Sequence, residues 1–282
     1  MGSLADAEWR VIGEESHDGA TNMALDEVAA RTAVEDDVRT VRVYRWEPSC
    51  LSMGYRQAAD SVDWGFCERE GVDVTRRQTG GGGIYHDAYA DVSYSIVAPA
   101  EELPGDLMDC YELLCEPVLD AIRSVGVDAA FADREHDSIH EPSCYLRGIH
   151  PAHDVLAYEG EISGGNGDDR VGRKLSGNAQ YRQRDAVIQH GSISYDHAVE
   201  NHLGVFADHD VTPERFRERV TSVHEQAGVD RETFVDALRD HLADWCDATP
   251  GQWSEGERAA AKALVDEKYA ADAWVRDRDA SR

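Results

Sequence analysis

Residues 76–87 read Arg-Arg-Gln-Thr-Gly-Gly-Gly-Gly-Ile-Tyr-His-Asp, and no other stretch says more about the architecture of this chain. Four glycines in a row are costly to order, so they are expected where the backbone needs positive φ angles or approaches another group closely. The main-chain amides of such a turn can bind an anion, and two adjacent arginines add charge-assisted hydrogen bonds. The pattern predicts anion or nucleotide binding, with a plain hairpin turn and solvated arginines as the alternative.

Apolar patterns on either side of this turn indicate both strands and helices. Alternating or compact apolar runs predict strands at 39–45, 50–54, 72–74, 91–97, 155–158, 174–177 and 186–194. Helical periodicity predicts helices at 17–33, 60–70, 106–125 and 254–269, with a further helical pattern from 212 onward. Pro117 is expected to kink or break the third of these helices. Residues 159–171 are polar and glycine-rich, which predicts an exposed hairpin loop.

Together these elements predict an α+β fold, with a mixed β-sheet core flanked by helices and a helical C-terminal segment. The length of 282 residues suits a single domain over 1–282. We place its core at about 15–210 and the helical segment at about 211–278.

The chain is strongly acidic, with 56 Asp and Glu against 28 Lys and Arg and a net charge of -28. This balance argues against nucleic acid as a partner, because nucleic-acid binding needs a basic surface. The acidity is spread along the whole chain, a pattern that halophilic proteins use to stay soluble. There is no apolar run long enough to cross a membrane and no signal peptide, so we expect a cytoplasmic protein with reduced cysteines.

A second motif, Gly-Arg-Lys-Leu-Ser-Gly-Asn-Ala-Gln at 172–180, centres on Lys174. Only three of the 28 basic residues are lysines, so a retained lysine is expected where a compact ammonium does what a guanidinium cannot. Such an ammonium can hold a carboxylate and a phosphate and stabilise charge that develops during acyl transfer. A surface lysine on a hairpin is the alternative.

Between the two motifs lies a segment rich in possible metal ligands: His136, His140, Cys144, His150 and His153. The first three are spaced by four residues, as zinc ligands on one helix face would be. Pro142 disfavours a helix there, so a His-rich loop is favoured and no metal site is predicted.

The two motifs together resemble the biotin/lipoate protein ligase superfamily, on its lipoate side. Arg76 to Asp87 is similar to that family's Arg-Arg, Gly-Gly-Gly, His-Asp pattern, and Lys174 to Ala179 followed by His190-Gly191 is similar to its second signature. The resemblance covers about residues 20–275 and implies the catalytic-domain fold of that superfamily. It also implies a lipoate-protein ligase, which activates lipoate with ATP to lipoyl-AMP and transfers it to a lysine of a lipoyl domain.

The resemblance also implies a set of site residues and partners. ATP and Mg²⁺ would be the cofactors, lipoate the substrate, and Lys174 the catalytic residue. Apolar residues near the Met53 and Val74 strands would line the acyl tunnel. The acceptors would be lipoyl domains of 2-oxoacid dehydrogenases or the glycine-cleavage H protein, and a separate accessory subunit could supply the extra domain that many ligases carry. The ATP- and acyl-adenylate-binding residues would be Arg77, Gly81, Gly82, Gly83, Ile84, Tyr85, His86, Lys174, Gly177 and Asn178.

Some relatives in this superfamily are instead octanoyltransferases, which take the acyl group from acyl carrier protein through a cysteine thioester. Ser143-Cys144-Tyr145 lies about where these enzymes carry their nucleophile, whereas Gly82 and Tyr85 follow the ligases. We predict the ligase, with an octanoyltransferase that uses Cys144 as the alternative. A non-catalytic acyl- or nucleotide-binding subunit and a biotin ligase are further hypotheses.

Overall fold

A computed structural model of the protein describes Leu4 and residues 7–159, 171–182 and 185–278. Its strands are β1 (Trp9–His17), β2 (Arg39–Trp46), β3 (Cys50–Met53), β4 (Asp73–Arg76), β5 (Ile84–His86), β6 (Asp91–Pro99), β7 (Ala129–Phe131), β8 (Asp154–Glu159), β9 (Val171–Arg182), β10 (Ala186–Ser194) and β11 (Thr249–Pro250). Its α-helices are α1 (Gly19–Glu35), α2 (Trp64–Glu70), α3 (Leu107–Ser124), α4 (Val199–Gly204), α5 (Pro213–Arg219), α6 (Val223–Ala227), α7 (Arg231–Cys246), α8 (Glu255–Leu264) and α9 (Asp272–Val275). A π-helical turn, Val265–Tyr269, follows α8 directly.

The strands of the described residues form two sheets. The larger has the order β11-β1-β2-β6-β10-β9-β8-β7, and the smaller has the order β4-β3-β5. In the larger sheet β1 runs parallel to β2 and β11, and the other neighbours are antiparallel. The glycine-rich turn joins β4 to β5 in the smaller sheet, so the larger sheet and this turn together can enclose a site.

Alternating side chains of β2 separate the two faces of the large sheet. Val41 and Val43 pack with α3 and α7, in a core that includes Leu114 and Leu238. The intervening residues, such as Tyr44, face α1 and the C-terminal helices on the opposite side. This period of two makes the strand apolar on both faces, as expected for a sheet buried between two layers.

Most of the longer helices begin at a polar N-cap whose side chain accepts a main-chain hydrogen bond, at Asp18, Asp106, Asp230 and Ser254. The helix α3 runs through Pro117 without interruption, so the predicted break is wrong. Pro117 costs the helix one hydrogen bond, but its neighbours Leu114 and Val118 are buried against the sheet and α7. Tertiary packing therefore outweighs the local penalty.

The α+β prediction, a mixed sheet flanked by helices, is confirmed. The sequence patterns did not predict β1, and the sheet begins at Trp9 rather than near residue 15. They also did not predict β11, which lies in the segment predicted to be helical. Residues 160–170 of the hairpin predicted at 159–171 lie outside the described residues. Within the described chain, no helix has both the length and the apolar character needed to cross a membrane.

Glu257 connects α8 to β1 and α1. Its carboxylate accepts hydrogen bonds from Arg10 Nη1 at 3.0 Å, from the Thr32 hydroxyl at 2.9 Å and from the Ser254 amide at 2.8 Å. Burial alone would raise the pKa of Glu257, but these donors outweigh it and lower the pKa to about 2. The charged form is therefore the one that the folded protein binds.

We expect Glu257→Gln to lower the free energy of unfolding at neutral pH by about 1–3 kcal/mol, the usual cost of losing a buried charged acceptor. Because the folded pKa lies below the ordinary value of 4.5, the wild-type advantage is full above pH 4.5 and disappears as the pH falls toward 2. Thermal unfolding of both proteins from pH 7 to pH 2 measures this. Glu255→Gln, an exposed change on the same turn, is the control, and a gap independent of pH would contradict the assignment.

Candidate active site

A cavity of about 500 Å³ lies on the α1-facing side of the large sheet. Its floor includes a row of residues that are directly opposite one another on five adjacent strands: Tyr44, Ser93, Ser192, Gly177 and Asp154. Residues opposite one another in a sheet share a face, so this row places β2, β6, β10, β9 and β8 under one cavity. The side chains in the middle of the row are small, which leaves room above the sheet.

The two ends of this cavity differ in exposure. One end is closed by buried side chains, namely Met23, Tyr44, Trp46, Ser52 and His86. The other end is the mouth, which is lined by partly or fully exposed side chains, among them Glu135, Glu141, Arg147 and His150. Cys144 and Lys174 lie along the wall of the same cavity.

Lys174 is buried, with 1% of its surface exposed, and it is fully engaged. Its Nζ lies 2.8 Å from Oδ1 of Asp154 and donates a 2.7 Å hydrogen bond to the carbonyl oxygen of Cys144. The same nitrogen is 3.9 Å from Cys144 Sγ. A buried cation needs such partners, because an unpaired charge in this environment would be very costly.

The orientation of Lys174 depends on an irregularity in β9. Lys174 pairs with Leu156 and Ser176 pairs with Val155, so Leu175 is an extra residue on this strand. In a regular strand, residues 174 and 177 would face opposite sides of the sheet. The bulge brings both Lys174 and Gly177 to the cavity side.

Cys144 is held against the glycine-rich turn by main-chain hydrogen bonds. The amide of Cys144 donates to the carbonyl of Gly83 at 2.9 Å, and the amide of Gly83 donates to the carbonyl of Pro142 at 2.7 Å. A Cβ at Gly82 would lie 2.8 Å from both the Cys144 nitrogen and the Pro142 oxygen, and one at Gly177 would lie 3.0 Å from Cys144 Sγ. Both glycines therefore give space to the cysteine loop.

The two arginines before the turn do not face the cavity as free cations. Arg77 donates to the carbonyl oxygens of Ser52, Gly80 and Gly82 at 2.7–2.8 Å. Burial lowers the pKa of Arg77 to about 10. Its hydrogen bonds to main-chain carbonyls hold the turn together.

Arg76, at the end of β4, also donates its hydrogen bonds to main-chain carbonyls. It donates to the carbonyls of Gly54 at 2.8 Å and Gln57 at 2.7 Å, and to Val275 at the end of α9 at 2.7 Å. The guanidinium thus satisfies orphan carbonyls at a helix C-terminus and fastens the C-terminal segment to β4.

His86 lies at the closed end of the cavity in a chain of hydrogen bonds. Its Nε2 is 2.8 Å from the Ser52 hydroxyl and its Nδ1 is 3.1 Å from Asp91 Oδ2. Its ring stacks on Trp46, with 3.9 Å between the ring centres. Burial is the main cause that lowers the pKa of His86, and Asp91 opposes it, so the ring is neutral at physiological pH.

The side chain of Asn178 makes hydrogen bonds to neighbouring residues of the protein. Its Oδ1 accepts from the Tyr94 hydroxyl at 2.7 Å, and its Nδ2 donates to the carbonyl of His153 at 2.9 Å. A Cβ at Gly191 would lie 2.2 Å from that Oδ1, so the second glycine of the His-Gly pair makes room for Asn178.

The histidines of the loop that carries Cys144 form no metal cluster. The His150 and His153 rings stack, with 5.1 Å between their centres, and burial lowers the pKa of His153. Among the residues that the structure describes, no group of three or more His, Cys, Asp or Glu side chains could hold a metal ion.

The structure brings most of the predicted site residues to one cavity. Those that line it are Arg77, Gly81, Ile84, His86, Cys144, Lys174, Gly177 and Asn178. Gly82, Gly83 and Tyr85 do not line it, and neither Met53 nor Val74 forms its wall. Instead, Met53 and Tyr85 belong to a separate core cluster under the small sheet.

Sequence reasoning did not place several residues of this cavity in the site, among them Asp154, Met23, Tyr44 and Trp46. Asp154 directly follows the His-rich loop and begins a strand, so its position could have suggested a buried acid, but nothing in the sequence links it to Lys174. Nothing in the sequence distinguishes Met23 from the other apolar residues of its helix.

Comparison with known proteins identifies the family. A sequence model described as the lipoyl protein ligase A/B catalytic domain matches residues 18–243. The octanoyltransferase LipM of Kyrpidia tusciae is 32% identical and aligns over 94% of this chain and 97% of its own. The octanoyltransferase LipM of Symbiobacterium thermophilum is 30% identical over 95% of this chain and 98% of its own.

Solved structures share the fold at lower identity. The bipartite lipoate protein ligase of Thermoplasma acidophilum superimposes with a TM-score of 0.77, at 22% identity, over 98% of this chain and 99% of its own. A lipoate-protein ligase A bound with ATP gives a TM-score of 0.75 at 24% identity, over 95% of this chain and 98% of that one. These likenesses establish the fold and not the reaction.

The sequence relatives overturn the prediction of an ATP-dependent lipoate ligase, and with it ATP and Mg²⁺ as cofactors, since the two that are 30–32% identical over 94–95% of this chain are octanoyltransferases. The residues do not fit a triphosphate either. Arg77 donates to carbonyls, and Lys174 is paired with Asp154, whose buried carboxylate would repel a phosphate. The matched family spans residues 18–243, so this chain belongs to the lipoyl protein ligase A/B catalytic domain family.

Proposed function

We propose that this protein is an octanoyltransferase that carries the acyl group as a thioester on Cys144. The observation that carries the proposal is the pairing of Cys144 Sγ with the buried Nζ of Lys174, 3.9 Å away, in a cavity with one closed end. A thiol beside a positioned cation is the arrangement that nucleophilic cysteines need. The octanoyltransferases that align with nearly the whole chain support it.

In the first half-reaction, the sulfur of Cys144 attacks the carbonyl carbon of an acyl thioester on a carrier protein. A carbon–sulfur bond forms to Cys144 while the bond to the carrier sulfur breaks. The proton of the attacking Cys144 thiol passes through Lys174 to the leaving carrier sulfur, so the carrier departs as a free thiol. One thioester replaces another, and no nucleotide is needed to activate the acyl group.

In the second half-reaction, the neutral amine of an acceptor lysine attacks the thioester carbon on Cys144. A carbon–nitrogen bond forms, the carbon–sulfur bond breaks, and a proton passes from nitrogen to sulfur through Lys174. The products are an acylated lysine and the original thiol. In both steps the Lys174 cation stabilises the negative charge of the tetrahedral intermediate.

Asp154 has a positioning role in this scheme. It is buried, and its second oxygen accepts a 2.9 Å hydrogen bond from the His150 amide, which fixes the carboxylate beside Lys174. Without it, the ammonium of Lys174 would be buried without a counterion and would lose its place or its charge.

We propose acyl carrier protein as the donor. Lipoyl domains of 2-oxoacid dehydrogenases, or the glycine-cleavage H protein, are the proposed acceptors. The accessory subunit that a ligase would require has no part in thioester exchange. The residues 1–282 act in this proposal as one catalytic domain, because β1 and β11 extend the sheet that carries Lys174 and the C-terminal helices pack in the core on one side of it.

Cys144→Ala should abolish transfer, because it removes the thiol that lies 3.9 Å from the Lys174 ammonium. We expect a loss of at least about a thousandfold in octanoyl transfer from carrier protein to a lipoyl domain, measured by mass spectrometry without ATP. Wild-type protein incubated with octanoyl carrier protein alone should gain one octanoyl group that hydroxylamine removes. Cys246→Ala, in a buried thiol on α7, is the matched control, and wild-type transfer by Cys144→Ala would refute the thioester.

Lys174→Ala should leave Cys144 in place and slow both half-reactions. We expect transfer to fall about 10²- to 10⁴-fold, as for the loss of a proton-transfer or charge-stabilising group. Formation of the acyl-Cys144 adduct, followed by mass spectrometry, separates the first step from the second. Lys262→Ala, at an exposed lysine on α8, should react at the wild-type rate, whereas an unimpaired Lys174→Ala would contradict the role of Lys174.

A further inference from the structure

The cavity has a defined direction relative to the sheet. Cys144 Sγ lies over Gly177 on β9, and the closed end lies over Tyr44 on β2, three strands away. Neighbouring strands are about 4.8 Å apart, so the distance across the floor is about 14 Å. Part of that span is filled by the side chains at the closed end, which leaves a length suited to a medium acyl chain.

Three polar side chains between these ends, Ser93, Ser192 and His86, already have hydrogen-bond partners within the protein. The Ser93 hydroxyl donates to Asp91 Oδ2 at 2.6 Å, and the Ser192 hydroxyl donates to the other oxygen of the same carboxylate. His86 is satisfied by Asp91 and Ser52. Because these three polar groups already have partners, a saturated chain can lie over them without stranding a donor or an acceptor.

Met23 projects from α1 to the closed end, with 4% of its surface exposed. Beyond it lies a second, smaller cavity, lined by Met23, Asp26, Gln78, Thr79, Tyr181, Ile188, His190 and Tyr269. Met23 and His190 are the two residues that line both cavities, so their side chains form the partition.

The two members of this partition differ in how firmly they are held. The His190 ring lies between Asp26, at 3.3 Å from Nδ1, and the Thr79 hydroxyl, at 2.8 Å from Nε2. Met23 is an unbranched thioether, a side chain that fills gaps and repacks readily. Shortening Met23 would therefore join the two cavities while leaving His190 in place.

We infer that Met23 sets the length of acyl chain that this protein accepts, by closing the cavity at the span of a medium chain. This inference rests on the proposed function for the identity of the acyl donor. The position of the proposed chain-length limit depends only on the geometry of the two cavities. Removal of the Met23 side chain extends the cavity toward Tyr269 and admits longer chains.

The first test measures binding without any transfer. Isothermal titration of octanoate and dodecanoate into wild-type protein, Met23→Ala and the milder Met23→Val gives a dodecanoate-to-octanoate affinity ratio for each. We expect the ratio to rise about tenfold in Met23→Ala, the gain from roughly two newly buried methylene groups, and to rise less in Met23→Val. Met53→Ala makes the same truncation at a buried methionine that lines neither cavity, and its ratio should equal that of the wild type.

The second test measures transfer from octanoyl and dodecanoyl carrier protein in competition, with the product masses as the readout. A matching rise in dodecanoyl product supports the inference. If binding selectivity shifts in the Met23 variants while wild-type protein transfers no acyl group, the proposed function fails and the length limit stands. Unchanged ratios in both Met23 variants, with melting temperatures close to that of the wild type, would overturn the inference, as would wild-type protein that binds neither fatty acid.

Discussion

Two main-chain hydrogen bonds at Gly83 hold the site together. Through them the glycine-rich turn pairs with the residues on both sides of Ser143, and Cys144 is fixed above the large sheet. The approach is so close that Gly82 has no room for a side chain. The expensive run of glycines is explained by this contact between two backbones, and a bound nucleotide is not required to explain it.

Arg77 holds the same turn by hydrogen bonds to its carbonyl oxygens, and Arg76 holds the C-terminal segment in the same way. A buried guanidinium that donates to several carbonyls replaces the water those oxygens would otherwise bind. Arg77 and Cys144 both line the cavity. In this chain, residues that look like an anion-binding motif therefore build part of the wall of the cavity that contains Cys144 and Lys174.

Lys174 shows how a small irregularity determines chemistry. One extra residue in β9 turns the ammonium to the cavity side, where Asp154 balances its charge and Cys144 lies within reach. A lysine-poor chain keeps this lysine because an ammonium fits between a carboxylate, a carbonyl and a sulfur, whereas a planar guanidinium does not.

The sequence by itself determined the α+β class, most of the strands and the two motifs that meet at the cavity, because alternation, glycine runs and motif order are local properties of a chain. It could not show that Arg77 faces carbonyls, that α3 tolerates Pro117, or that Asp154 and Met23 belong to the site. Those facts depend on contacts between residues far apart along the chain. Examples are the pairing of Lys174 with Asp154 on the neighbouring strand and the position of Met23 at the closed end of the cavity. Only the tertiary structure decides them, since a side chain binds whichever partner the packing brings near and the burial of a charge selects the partner that can neutralise it.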